Sequence, residues 1–222
     1  MKNTTYIKAK ENPVTPPELF ASILGTHFVE TYPHITTANI TVVTHRWTRI
    51  SIDGKPHPHS FYRDGAETRN VEAVVQKNRQ IDIRSGIAGL LVLKSTGSQF
   101  HGFIKDEYTI LGETWDRILS TDVDCGWSWK TFSGLAAVKE AIPKFDKAFD
   151  NARNITMKTF AEEDSPSVQG TMYKMSELIL EAVPEVDAVD YSLPNKHYFE
   201  IGMSTIPISK LRLLILNRLE LA

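Results

Sequence analysis

Phe100 and Arg117 lie in one stretch, residues 90–117, and pair a flat aromatic face with a planar cationic fork. A ring stacks on a flat heterocycle and a guanidinium donates paired hydrogen bonds to its oxygens. Together they could hold a flat, anionic, oxygen-rich ring. Each also has an ordinary use: a phenylalanine at a strand edge packs into a core, and an arginine near Glu113 and Asp116 forms a solvated ion pair. Val168 and Gln169 follow Asp164-Ser165-Pro166-Ser167, where a helix is expected to start. The unpaired N–H groups and positive dipole end of that helix could receive an anionic ring through a backbone donor and a side-chain amide, or could simply be capped. Asn195 and His197, two apart where a turn leads into a strand, would point the same way. The amide can hold a water or dioxygen and the imidazole can pass protons near neutral pH; a satisfied loop pair is the competing reading.

Other chemistries find less support. His57-Pro58-His59 hints at a metal, but His27, His34, His45, His101 and His197 are scattered and no cysteine or carboxylate repeats at ligand spacing. A metal site is therefore not expected. The sequence holds no glycine-rich phosphate loop and no nucleophile elbow. The single cysteine, Cys125, cannot close an internal disulfide and is expected to be a packed thiol in a reducing compartment. The glycosylation sequons at Asn3, Asn39 and Asn154 then read as chance matches. A net charge of −2 and a pI near 6.4 give no pull toward nucleic acid or an anionic membrane, and neither partner is expected. The first residues lack the apolar core of a signal peptide.

These residues need elements to position them. Tyr6, Ile7 and Ala9 among polar residues read as a strand already under way, which suggests further sequence upstream. Thr15-Pro16-Pro17-Glu18 reads as a capping box, followed at helical spacing by Leu19, Phe20, Ile23, Leu24 and Phe28. Residues 38–48 alternate and are rich in β-branched residues. A turn at Asp53-Gly54-Lys55-Pro56 leads to a second run at 59–62, which Val71, Ala73 and Val75 extend. Lys77-Asn78-Arg79-Gln80 reads as a crossing into a second unit of strands 81–94 and 118–129. There Ser133 is expected to cap a helix through Leu135, Val138, Ile142 and Phe145 that Pro143 bends or ends. A second helix is expected from about 167 to 180, then strands at 186–191 and 197–201. Strand, strand, helix, helix, strand, strand is complete in the second unit, and the first shows only its later part, like a repeat without its opening strands.

The stretch LLVLKSTGSQFHGFIKDEYTILGETWDR (90–117) resembles the signature segment of urate oxidase (uricase), without insertion or deletion. PVTPPELFASILGTHF (13–28), THRWTRISIDGKPHPHSF (44–61), SVQGTMYKM (167–175) and YSLPNKHYFE (191–200) also resemble uricase segments, in the family's order, so the likeness covers about residues 2 to 201. It implies an α+β fold of tandem tunnelling-fold (T-fold) units, antiparallel sheets with helices on one face, the first unit lacking its opening strands. The expected division is residues 1–77, 78–202 and an atypical tail, 203–222.

The resemblance implies cofactor-independent oxidation of urate by dioxygen and water to 5-hydroxyisourate and hydrogen peroxide, in a homotetramer with its site at a subunit interface. Phe100 would stack on urate while Arg117, the Val168 backbone and the Gln169 amide clamp its edge. Asn195 would hold dioxygen or water and His197 would relay protons. The family's catalytic base, a lysine–threonine pair, is expected upstream of Met1, since Lys2, Lys8 and Lys10 do not match it, so turnover is expected to be impaired. A non-catalytic purine-binding or assembly subunit is the alternative. An enzyme acting on a pterin or another purine ring is less favoured, because such enzymes grip the ring with a carboxylate. The family is peroxisomal, but Ser209-Lys210-Leu211 is internal here, which leaves a cytoplasmic location open. The ends are expected to reflect a truncated or misread gene.

Overall fold

The computed structural model describes residues 1–198. Its scaffold is one antiparallel sheet in which β1 (Thr37–Ile52), β2 (Lys55–Gln76), β3 (Ile81–Lys94) and β4 (Leu119–Trp129) lie side by side in chain order. β5 (Val186–Ser192) and the two-residue β6 (Asn195–Lys196) both pair with β4. The helices are α1 (Lys2–Glu11), α2 (Pro17–Thr31), α3 (Leu135–Glu140), α4 (Ile142–Glu162) and α5 (Val168–Ala182).

Alternation along the strands sorts the two faces. Val71, Ala73, Val75, Ile83, Val123 and Trp127 are buried with Leu24 and Phe28 of α2 and Phe145 of α4 in one core. Asn70, Glu72, Arg84, Asp124 and Asp190 line an open hollow of about 420 Å³ on the face turned away from it. Arg84 reaches Asp190 there with two bonds of 2.5 and 2.6 Å. Its guanidinium crosses Gly126, where a Cβ would stand 2.1 Å from Arg84 Nη2, so a larger residue there would push the Arg84 side chain aside. Cys125 is buried in the core, and burial pushes its thiol up to about 12, which keeps it an unreactive packed side chain.

Several elements differ from expectation. Residues 2–11 form a helix rather than a strand; it buries no residue, and Lys8 and Lys10 favour its C-terminal turn. The expected capping box at Thr15 does not form, because Pro16 is the N-cap without a side-chain bond and Glu18 turns inward. The runs at 59–62 and 71–75 are parts of one strand, β2, with register shifts against β1 between His45 and Trp47 and between Arg49 and Ser51. Residues 77–80 make a tight turn, with Arg79 at φ 75°, so the sheet runs unbroken from β2 into β3. Gly134, not Ser133, precedes α3, and Pro143 opens α4 instead of ending a helix, as its missing N–H allows in a first turn. Of the strand expected at 197–201, His197 and Tyr198 follow β6 without strand pairing; its remainder and the tail 203–222 lie outside the described residues.

Candidate functional site

Between β3 and β4 the chain makes an irregular excursion, held in shape by its own polar groups. Gly97 turns it at φ 74°. Asp116 returns to that turn: its carboxylate accepts from Thr96 Oγ1 at 2.6 Å and from the Gly97 N–H at 2.9 Å. Further out, Phe100 and Thr114 exchange backbone bonds of 2.8 and 2.9 Å. The Gly102 N–H donates to Glu113 at 2.9 Å, and Lys105 pairs with the same carboxylate at 3.1 Å. His101 stacks on Trp115 with centroids 3.9 Å apart.

The Thr96 hydroxyl, then the Gly97 N–H, holds Asp116 below the ordinary carboxylate value of 3.8. The Gly102 N–H, then Lys105, holds Glu113 below its ordinary 4.5. Both depressed groups lend stability that is complete above the unfolded values and lost as pH falls through the folded ones. Trp115 emission should therefore change below roughly pH 4 before the sheet's circular dichroism does. A Trp115 signal that changes only with global unfolding would contradict this.

This excursion is sewn to the start of α5. Ser98 and Ser165 form a parallel bridge, with the Gln99 N–H donating to the Ser165 carbonyl at 2.8 Å and the Ser165 N–H to the Gly97 carbonyl at 3.2 Å. The Arg117 N–H donates to the Ser98 carbonyl at 2.9 Å. Ser167 then caps α5, its hydroxyl accepting from the Gly170 N–H at 3.1 Å. Val168 packs on Leu119, Phe160 and Met175, and Gln169 is exposed. As the first helical residues, both keep N–H groups with no intrahelical acceptor. One backbone seam thus brings Phe100, Arg117, Val168 and Gln169 together.

Within the seam the Arg117 guanidinium carbon lies 5.1 Å from the Phe100 ring centroid, while Phe103 stacks on Phe100 at 4.6 Å. Glu113 and Asp116 are committed to the excursion's own bonds, and Arg117 forms no ion pair among the described residues. By contrast Arg46, Arg69, Arg84 and Arg153 all hold carboxylates. Arg117 is half-buried, and among the described residues its fork holds no carboxylate.

Asn195 is placed separately. It lies opposite Thr121, and Thr121 Oγ1 donates to the Pro194 carbonyl at 2.9 Å while Lys196 pairs with Asp122 at 2.6 Å. The antiparallel register Thr121–Asn195 and Ser120–Lys196 runs toward the start of β4. Asn195 and His197 are exposed, and no hydrogen bond among the described residues joins Asn195 to the seam. His57 and His59 stack edge-on at 4.6 Å, and among the described residues no group of three or more His, Cys, Asp or Glu could hold a metal ion. No helix among the described residues is long and apolar enough to cross a membrane.

Sequence reasoning named the clamp but missed its fasteners, Ser98, Phe103 and Asp116. Only Asp116 left a local sign, an acid placed to face the Thr96-Gly97 turn.

One antiparallel sheet with its helices packed against it is the α+β architecture of the tunnelling-fold class. Residues 1–74 and 83–212 match the uricase family model. The chain is 63% identical over 204 residues to the uricase of Aspergillus flavus, covering 92% of this chain and 68% of that protein. It is 45% identical over 213 residues to the uricase of Schizosaccharomyces pombe, covering 95% and 70%. Its fold superposes on the crystal structure of uricase from Arthrobacter globiformis with a TM-score of 0.78 at 38% identity, covering 91% of this chain and 66% of that one. The chain belongs to the uricase family. It spans about two thirds of the length of these relatives.

Proposed function

We propose that the seam binds urate and that the chain serves the oxidation of urate by dioxygen and water to 5-hydroxyisourate and hydrogen peroxide, without an organic or metal cofactor. The observation that carries this reading is the Arg117 fork, without an ion pair among the described residues, beside the Phe100 ring. Urate is flat and anionic and carries oxygens along its edge. It stacks on the Phe100 ring, and Arg117, the Val168 N–H and the Gln169 amide take one edge.

Deprotonated urate gives two electrons to dioxygen, water adds one oxygen to the ring, and the protons released leave with the peroxide. The protein's share is position, charge and a proton path. Asn195 holds dioxygen or water above the ring and His197 relays protons, each reaching the clamp along β4. Residues 1–77 and 78–202 act as two units of the shared sheet.

The site opens toward a second copy of the chain in a homotetramer. Ile104, Tyr108, Ile110 and Trp115 of the excursion are 95%, 81%, 100% and 67% exposed, an apolar surface suited to burial between subunits. A peroxisomal setting, as in the family, is tested by imaging the tagged chain.

Urate loss and peroxide release by the purified chain near neutral pH test the reading, alongside equilibrium binding of urate. Turnover supports the enzyme. Binding without peroxide supports a purine-binding or assembly subunit, a reading favoured by a clamp that holds no proton acceptor of its own. Absence of binding refutes both.

A further inference from the structure

At the seam three buried polar atoms, Ser98 Oγ, Arg117 Nε and Glu163 Oε2, have no hydrogen-bond partner among the described residues. Buried side-chain polar atoms nearly always have one, so three orphans where a ligand-holding arginine is anchored call for a cause. Ser98 is 1% exposed, so solvent does not satisfy its hydroxyl.

The backbone sets Ser98 beside Arg117 on one side and beside Ser165, two residues after Glu163, on the other. Phe100 and Thr114 exchange two bonds, and regular pairing would next set Asp116 opposite Ser98. Instead the Arg117 N–H reaches the Ser98 carbonyl at 2.9 Å, so Asp116 and Arg117 together face one residue. An extra residue of this kind re-aims the side chain that carries it. Glu163 precedes the Ser165 that bridges Ser98, and its carbonyl is fixed by Lys94 Nζ at 2.6 Å. The chemical types are complementary. Arg117 Nε–H only donates, Glu163 Oε2 only accepts, and a hydroxyl does both.

We propose that Ser98 is a positioning residue for Arg117. When the terminal nitrogens of Arg117 engage an anionic ring, its Nε–H donates to Ser98 Oγ and the Ser98 hydroxyl donates to Glu163 Oε2. Two bonds then satisfy all three orphans and fix the plane of the fork, so less rotational freedom is lost per bond made to the ligand. This rests on Arg117 being the group that holds urate.

The test uses the full chain, with urate as the probe. The Arg117 Nε–H resonance is assigned by its disappearance in Arg117→Lys, and its exchange with water is followed with and without urate in wild type, Ser98→Ala and Ser98→Thr. Urate should slow this exchange at least about ten-fold in wild type. Ser98→Ala should abolish the slowing and raise the urate Kd about ten-fold, with little change in thermal midpoint, and Ser98→Thr, which keeps the hydroxyl, should restore both. A purely structural role for Ser98 would move the midpoint and leave the Nε–H behaviour unchanged. Wild type that binds urate while Ser98→Ala behaves identically overturns the positioning role alone. Wild type that takes up no urate overturns the functional reading and this inference with it.

Discussion

Arg117→Ala should raise the Kd for urate by two orders of magnitude or more and leave the chain folded. Two charge-assisted bonds to an anion are each worth about 1.5–3 kcal/mol, and about 1.4 kcal/mol is a factor of ten. Stability should hold because Arg117 forms no ion pair among the described residues, so its loss strands no carboxylate; Glu113 and Asp116 keep Gly102, Lys105, Thr96 and Gly97 as partners. Arg117→Lys keeps the charge but loses the planar fork and should recover only a small part of the affinity. Titration of urate into the purified variants reads the effect directly. Affinity within a factor of about three of wild type in Arg117→Ala would remove Arg117 from the site.

Glu18→Ala should be the most destabilising single change, by about 3–5 kcal/mol. Glu18 is fully buried, its side chain 0% exposed. Its carboxylate accepts from Arg69 Nη2 at 2.8 and 3.1 Å and from Ser85 Oγ at 2.7 Å. Ser85 Oγ accepts in turn from Trp129 Nε1 at 3.0 Å, and Arg69 reaches on to Asp146 at 2.7 Å. Removing the carboxylate leaves a guanidinium only 12% exposed with the exposed Asp146 as its single carboxylate partner. Arg69 has little slack, since its Nε already lacks a partner. For a chain of this length the thermal midpoint should fall by roughly 10 °C, and Glu18→Gln, which keeps the shape and one acceptor, should lie between the two. A urea midpoint for Glu18→Ala equal to wild type would show the network to be dispensable.

Glu18 also shows where the sequence stopped being legible. Thr-Pro-Pro-Glu is a local signature, and a local pattern predicts a local bond. The partners of Glu18, Arg69 and Ser85, are 51 and 67 residues away, and no window of periodicity reaches that far. The apolar face of α2 was readable for the opposite reason: Leu19, Phe20, Leu24 and Phe28 sit on one stripe whatever packs against them.

At the amino end, Tyr6 and Ile7 suggested a strand, yet 65% and 54% of their surfaces are exposed. With no sheet to satisfy the backbone there, the intrahelical ladder does so. β2 was read in pieces because Asp64 and Gly65 interrupt its apolar alternation, although the backbone ladder continues through them.

For the site, residue types suggested the clamp. They could not say whether Arg117 is spent on Glu113 or Asp116. That depends on which N–H groups reach those carboxylates first, and so on the path of the whole excursion. The Ser98–Ser165 bridge is equally silent in sequence, because parallel pairing of two short polar segments leaves no pattern in either.

The strand order has a consequence in time. From β1 to β4 each strand lies against the one just before it, so the sheet can grow as the chain leaves the ribosome, closing two tight turns and then the longer excursion between β3 and β4. β5 and β6 join β4 only after three helices have intervened. The parts of the site follow the same schedule. Phe100 and Arg117 arrive early, the start of α5 later, and Asn195 and His197 last. A nascent chain therefore completes its scaffold well before it can hold a ligand.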